Sequence, residues 1–145
     1  MAFELPGFYG TFLASTGLKQ YTFVALTSTG SGANKVAKLI KPTTAGDCIG
    51  ILVSSGTTGS TVKKNQTVQF YGIGKVRAGS TSFVAGDQVF ASSKGLASRA
   101  AAGAASTFYI VGQCVLPLAS TKEGSTGGST AEIISVLLTH SGGHQ

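Results

Sequence analysis

The chain has no tryptophan, one methionine, two cysteines, three prolines and five carboxylates. Charged residues make up 11% of it, against about 25% in an ordinary soluble domain. With 42% hydrophobic residues it is still far from the polar, highly charged composition that keeps a chain disordered. Cys48 and Cys114 lie far apart, and both histidines, His140 and His144, sit near the C-terminus. Neither the paired cysteines nor the Cys/His spacing of a metal site is present, so no metal and no cofactor are expected. The first basic residue is Lys19, too late for the basic start of a cleaved export signal. The cysteines therefore read as reduced, small buried hydrophobes. No run approaches the roughly 20 apolar residues of a membrane helix, and no membrane partner is expected.

The means for catalysis are also few. The carboxylates are Glu4, Asp47, Asp87, Glu123 and Glu132, with no matched pair for acid–base work. A Ser-His-Asp or Cys-His arrangement would require the glycine-containing tail to fold into a cleft. The segment Tyr71-Gly72-Ile73-Gly74-Lys75-Val76-Arg77 lacks the full glycine spacing of a phosphate loop, and no helical pattern follows it. No catalytic residue is assigned, and the chain is expected not to be an enzyme.

What the sequence does contain is 21 glycines and abundant Ser, Thr and Ala, punctuating short runs rich in β-branched and aromatic residues. That pattern predicts an all-β protein, a small β-barrel or β-sandwich. Its 145 residues suit one core, able to bury about two-thirds of the surface of the unfolded chain. Strands are expected near 20–26, 35–40, 48–53, 66–77, 87–91, 107–116 and 131–139. In the clearest, Val68, Phe70 and Val76 share one face, with Thr67, Gln69, Tyr71, Lys75 and Arg77 on the other; Gly72 and Gly74 predict a bend between two strands. Residues 97–105 read as a surface loop or weak edge strand, and 121–130 as a flexible hairpin loop.

Two echoes run through the sequence. Ile49-Gly50 followed by Val53 resembles Val111-Gly112 followed by Val115, and Gly59-Ser60-Thr61 then matches Gly128-Ser129-Thr130. Both a true duplication and chance in a Gly/Ser/Thr-rich chain fit this pattern. The second echo, Ala45-Gly46-Asp47 and Ala85-Gly86-Asp87, is explained by turn chemistry.

Residues 1–18 read differently. Pro6, Gly7 and Gly10 break helix, while Phe3, Leu5, Phe8, Tyr9 and Phe12 are too apolar for a solvated tail. The expected division is an extended N-terminal arm over 1–18, a single β domain over 19–140 and a flexible tail over 141–145. Removing residues 2–14 should then leave a folded protein. The formal net charge is +6, scattered between Lys19 and Lys122, with Lys63-Lys64 the densest cluster and Lys75 and Arg77 following. This is a mildly basic surface and not a phosphate track.

The order Ile49-Gly50, Tyr71-Gly72-Ile73-Gly74-Lys75-Val76, Ala85-Gly86-Asp87-Gln88-Val89, Val111-Gly112 and the apolar strand Ile133 to Leu138 resembles the small capsid cement (decoration) proteins of tailed bacteriophages. The resemblance spans about four-fifths of the chain and rests on strands and glycines, with no catalytic motif. It implies a virion protein on the capsid exterior, commonly a homotrimer, whose partner is the major capsid protein and which stabilises the head by bridging capsid subunits. The capsid-contact candidates are then Phe3, Leu5, Phe8, Tyr9 and Phe12 in the arm and Lys63, Lys64, Lys75 and Arg77 on the basic surface. The same composition admits a receptor-binding or fibre-associated β module of a virion. It also admits, with less support, a nucleic-acid-binding barrel using Tyr71, Lys75 and Arg77.

Overall fold

A computed structural model describes residues 7–43, 48–54, 65–79, 83–100, 110–116 and 133–139. They form β1 (Tyr9–Ala14), β2 (Phe23–Thr29), β3 (Val36–Ile40), β4 (Cys48–Leu52), β5 (Asn65–Gln69), β6 (Gly72–Arg77), β7 (Gln88–Ala91), β8 (Ala97–Arg99), β9 (Ile110–Leu116) and β10 (Ile133–Leu138), with one short 3-10 turn at Gly32–Asn34. The first five strands make a closed barrel in the order β1-β3-β2-β4-β5, and the rest a five-stranded sheet in the order β6-β10-β9-β7-β8. The parallel bridge Ala78↔Ala97 links the two edges of the second sheet. The all-β expectation holds.

The arm expectation is corrected at its C-terminal part. Tyr9–Ala14 pairs antiparallel with β5 from Tyr9↔Gln69 to Leu13↔Asn65, and parallel with β3 through Leu13↔Lys38 and Ala14↔Leu39. Leu18 beyond it is fully buried in the first core. The glycines at 7 and 10 suggest a non-helical arm, but they do not prevent a strand, and the alternation of Phe12 and Ala14 is that of a barrel stave. Residues 1–6, with Phe3 and Leu5, lie outside the described residues, as do 141–145 and residues 121–130, where a hairpin loop is expected.

The predicted bend after Gln69 is present, since β5 ends there and β6 starts at Gly72. The face opposite Val68 and Phe70 is not open to solvent at Gln69. Gln69 is fully buried, and its Nε2 donates to the carbonyls of Tyr71 and Ile73, each at 3.2 Å. The second sheet covers the side of β5 that alternation alone assigns to solvent. Residues 97–99 form the edge strand of the second sheet, and 101–105 lie outside the described residues.

The two halves repeat one topology. Matching β1–β5 with β6–β10 in order converts every pairing of the barrel into one of the second sheet: β1/β5 into β6/β10, β2/β3 into β7/β8, β2/β4 into β7/β9 and β4/β5 into β9/β10, all antiparallel. The parallel Ala14↔Leu39 pair matches the parallel Ala78↔Ala97 bridge. Register is kept as well. Val24↔Gly50 is followed by a bulge between Val24 and Ala25, and Val89↔Gly112 by one between Val89 and Phe90.

Hydrogen bonds outside the ladders repeat too. Tyr21 N donates to Leu52 O (2.7 Å) and Leu52 N to Thr22 O (2.9 Å), matched by Gly86 N to Cys114 O (2.7 Å) and Cys114 N to Asp87 O (2.9 Å). Tyr21 and Gly86 share a left-handed φ, 59° and 91°. The Ile49-Gly50 echo is thus structurally equivalent to Val111-Gly112, as a duplication requires.

The cores follow the same rule. The first holds Ala14, Leu18, Val24, Leu39, Leu52 and Val68, whose equivalents Ala78, Phe83, Val89, Ala97, Cys114 and Val136 all lie in the second. Where the second has the smaller Ala97 and Cys114, it gains Phe83 and is filled further by Phe23 and Ile51 from the first half. Burial of such side chains is worth about 1.5–3 kcal/mol each, so the shared residues bind the halves into one folding unit. Across the junction Phe23 N donates to Gly95 O (2.7 Å) and Arg77 N to Tyr21 O (2.6 Å).

Candidate functional site

The described candidates separate into internal and external groups. Phe12, on the inward side of β1, packs edge-to-face on Phe70 with ring centroids 5.8 Å apart and lies against the first core. It serves the barrel and not a docking surface. Arg77 is also engaged: its Nε donates to Gln20 O at 2.8 Å, bracing β6 on the turn before β2. Lys75 is half-buried on the same strand. Lys63 and Lys64 lie outside the described residues, as do His140 and His144.

The external group is aromatic. Phe8 is 75% exposed, Tyr71 56% and Tyr9 45%. Phe70 N donates to Phe8 O at 2.7 Å, which extends the β1/β5 ladder by one step and brings the start of β1 beside the β5–β6 corner that carries Tyr71. Phe8 and Tyr71 thus stand at one corner of the molecule on fixed backbone. Large aromatics so exposed on a rigid frame mark contact surfaces more often than isolated surface apolar residues do.

Chemistry at the cysteines is suppressed. Cys114 is buried and Cys48 half-buried, both free. Burial pushes the Cys48 thiol up to about 12, a rise opposed by the Gly50 and Val24 backbone groups. Burial, and then the Asp87 charge, push Cys114 up to about 11. A thiol held protonated is a poor nucleophile and a poor metal ligand. Among the described residues no three His, Cys, Asp or Glu side chains come together, and no helix is long and apolar enough to cross a membrane.

The structure also gathers residues that the sequence kept apart. Lys19, Lys41 and Lys94 line a cleft of about 340 Å³ with Gly17, Thr22 and Leu96. No run of basic residues signals this cluster, because each lysine sits on a different connecting segment of the chain.

No family model and no curated protein sequence matches the chain. Among solved structures it is similar to the head fibre gp8.5 N base of bacteriophage phi29, with a TM-score of 0.53 and 15% identity over 95% of this chain and 98% of that one. At that identity the likeness is one of fold, extending over both halves of the chain.

Proposed function

We propose that this chain is a structural protein of a phage virion that sits on the head exterior, binds the major capsid protein and bridges its subunits. The observation that carries this reading is the near full-length likeness to a protein described as the base of a head fibre. It agrees with the cement-protein resemblance of the sequence, and the exposed Phe8 and Tyr71 supply a rigid apolar corner for docking. A trimer is the proposed form, because several weak contacts held together multiply in strength through effective concentration. A second reading, that the chain is the base of a head fibre, has specific support in the same neighbour.

The test is to add purified chain to heads that lack it and to image the particles. Density repeated over the capsid lattice, with heads that withstand heating better, fits bridging; density at few positions carrying a projecting rod fits the fibre base. Bare heads at micromolar protein would overturn both. A Phe8→Ser/Tyr71→Ser variant should keep its fold, since both residues are largely exposed, and bind heads at least about tenfold more weakly. Unchanged attachment would remove this corner from the contact. Light scattering of the free protein should give three times the chain mass, and a monomer would exclude the trimer.

A further inference from the structure

We infer that the cleft between Lys19, Lys41 and Lys94 is a socket for carboxylates of an acidic protein segment, a site separate from the Phe8/Tyr71 corner. The cleft is formed where the halves meet, with Gly17, Lys19, Thr22 and Lys41 from the first and Lys94 and Leu96 from the second. Among the described residues no carboxylate lines it. Three like charges around one small space raise the energy of the unliganded molecule and favour an entering anion.

The lysines stand on fixed backbone. Thr22 Oγ1 donates to Lys19 O at 2.6 Å, closing the turn that carries Lys19. Lys94 lies in the β7–β8 turn, closed by Gly95 N to Ser92 O (2.8 Å) and Ser92 N to Leu96 O (2.9 Å) and pinned to the first half by Phe23 N to Gly95 O. Lys41 directly follows β3. The cations are thus partly preorganised, which lowers the ordering cost of binding.

The internal repeat identifies the ligand chemistry. Thr22 corresponds to Asp87, since each accepts the equivalent bond, from Leu52 N and from Cys114 N. Lys41 corresponds to Arg99, because Leu39 and Ala97 occupy the same place in the two halves. In the second half that pair is complete: Arg99 Nε lies 3.3 Å from Asp87 Oδ2, which also accepts from Val84 N at 2.7 Å. The first half keeps the cation as Lys41 and has a threonine where the carboxylate would be, and one further lysine from each half, Lys19 and Lys94, faces the same space. An external carboxylate would supply the missing partner. A nucleic acid is the poorer fit, because the cleft is compact and its described lining offers no aromatic on which a base could stack.

The test uses the full chain and a fluorescent ten-residue Glu/Asp peptide, with an oligonucleotide of equal charge as comparison. The peptide should bind, and Lys19→Gln/Lys41→Gln/Lys94→Gln should weaken it by about tenfold or more. Lys35→Gln/Lys38→Gln, outside the cleft, should leave binding within about twofold. Thr22→Asp should place the chain's own carboxylate in the socket and also abolish binding; if that variant does not fold, the exposed lysine variants decide. Equal loss in both lysine sets, no peptide binding by the native chain, or tighter binding of the oligonucleotide would overturn the assignment. Head attachment is scored separately, so failure here leaves the assembly reading standing.

Discussion

Gly50 and Gly112 show how closely the two halves specify the same packing. A Cβ at Gly50 would overlap Gln69 O and lie 2.8 Å from Val68 Cγ1; one at Gly112 would overlap Leu137 O and lie 2.8 Å from Val136 Cγ1. In both places the obstacle is ladder backbone, which a rotamer change cannot relieve. Gly50→Ala and Gly112→Ala should each destabilise by about 1–3 kcal/mol, measured by urea unfolding, and an innocuous result at either would contradict the equivalence. The thiols give a pH prediction. An unfolded cysteine loses its proton near 9.0, whereas folded Cys48 holds it to about 12 and Cys114 to about 11. Between those values the unfolded state binds fewer protons, so stability falls as pH rises, by up to about 1.4 kcal/mol per pH unit for each thiol. The Cys48→Ala/Cys114→Ala variant, weaker at neutral pH through lost packing, should show a shallower fall between about pH 9 and 11. Parallel declines would exclude the thiols as the cause.

Among the elements, strands bounded by glycine and turn residues were legible, and so was the bend after Gln69, because alternation and turn chemistry are local. β1 was not. Its partners β3 and β5 are remote in sequence, and Pro6, Gly7 and Gly10 obscure the alternation of Phe12 and Ala14. The burial of Gln69 was illegible for a related reason: period-two patterning says which residues share a face, but not that a second sheet covers the face opposite Val68 and Phe70. The lysine socket had no local signal at all. Since Tyr9–Ala14 closes the barrel, deleting residues 2–14 should abolish cooperative unfolding, opposite to the expectation for a detachable arm. A sharp thermal transition in the truncated protein would restore the arm.

For the molecule as a whole, the decisive feature is that two halves of one topology do not form two independent domains. Phe23 is fully buried in the core of the other half, so Phe23→Ala should cost about 3–5 kcal/mol and lower one shared transition. Two separate transitions in calorimetry would show that the halves melt alone. The pairing of the first strand with the last in each half also sets a timetable on the ribosome. At about 5–20 residues per second, β1 emerges several seconds before the β5 that pairs with it, and β6 waits as long for β10. Each nascent half therefore spends those seconds as an open sheet with bare edges, when it is most able to pair with a neighbouring chain on the same polysome. Slowing translation should then lower the soluble yield, and a chaperone that shields strand edges should recover it.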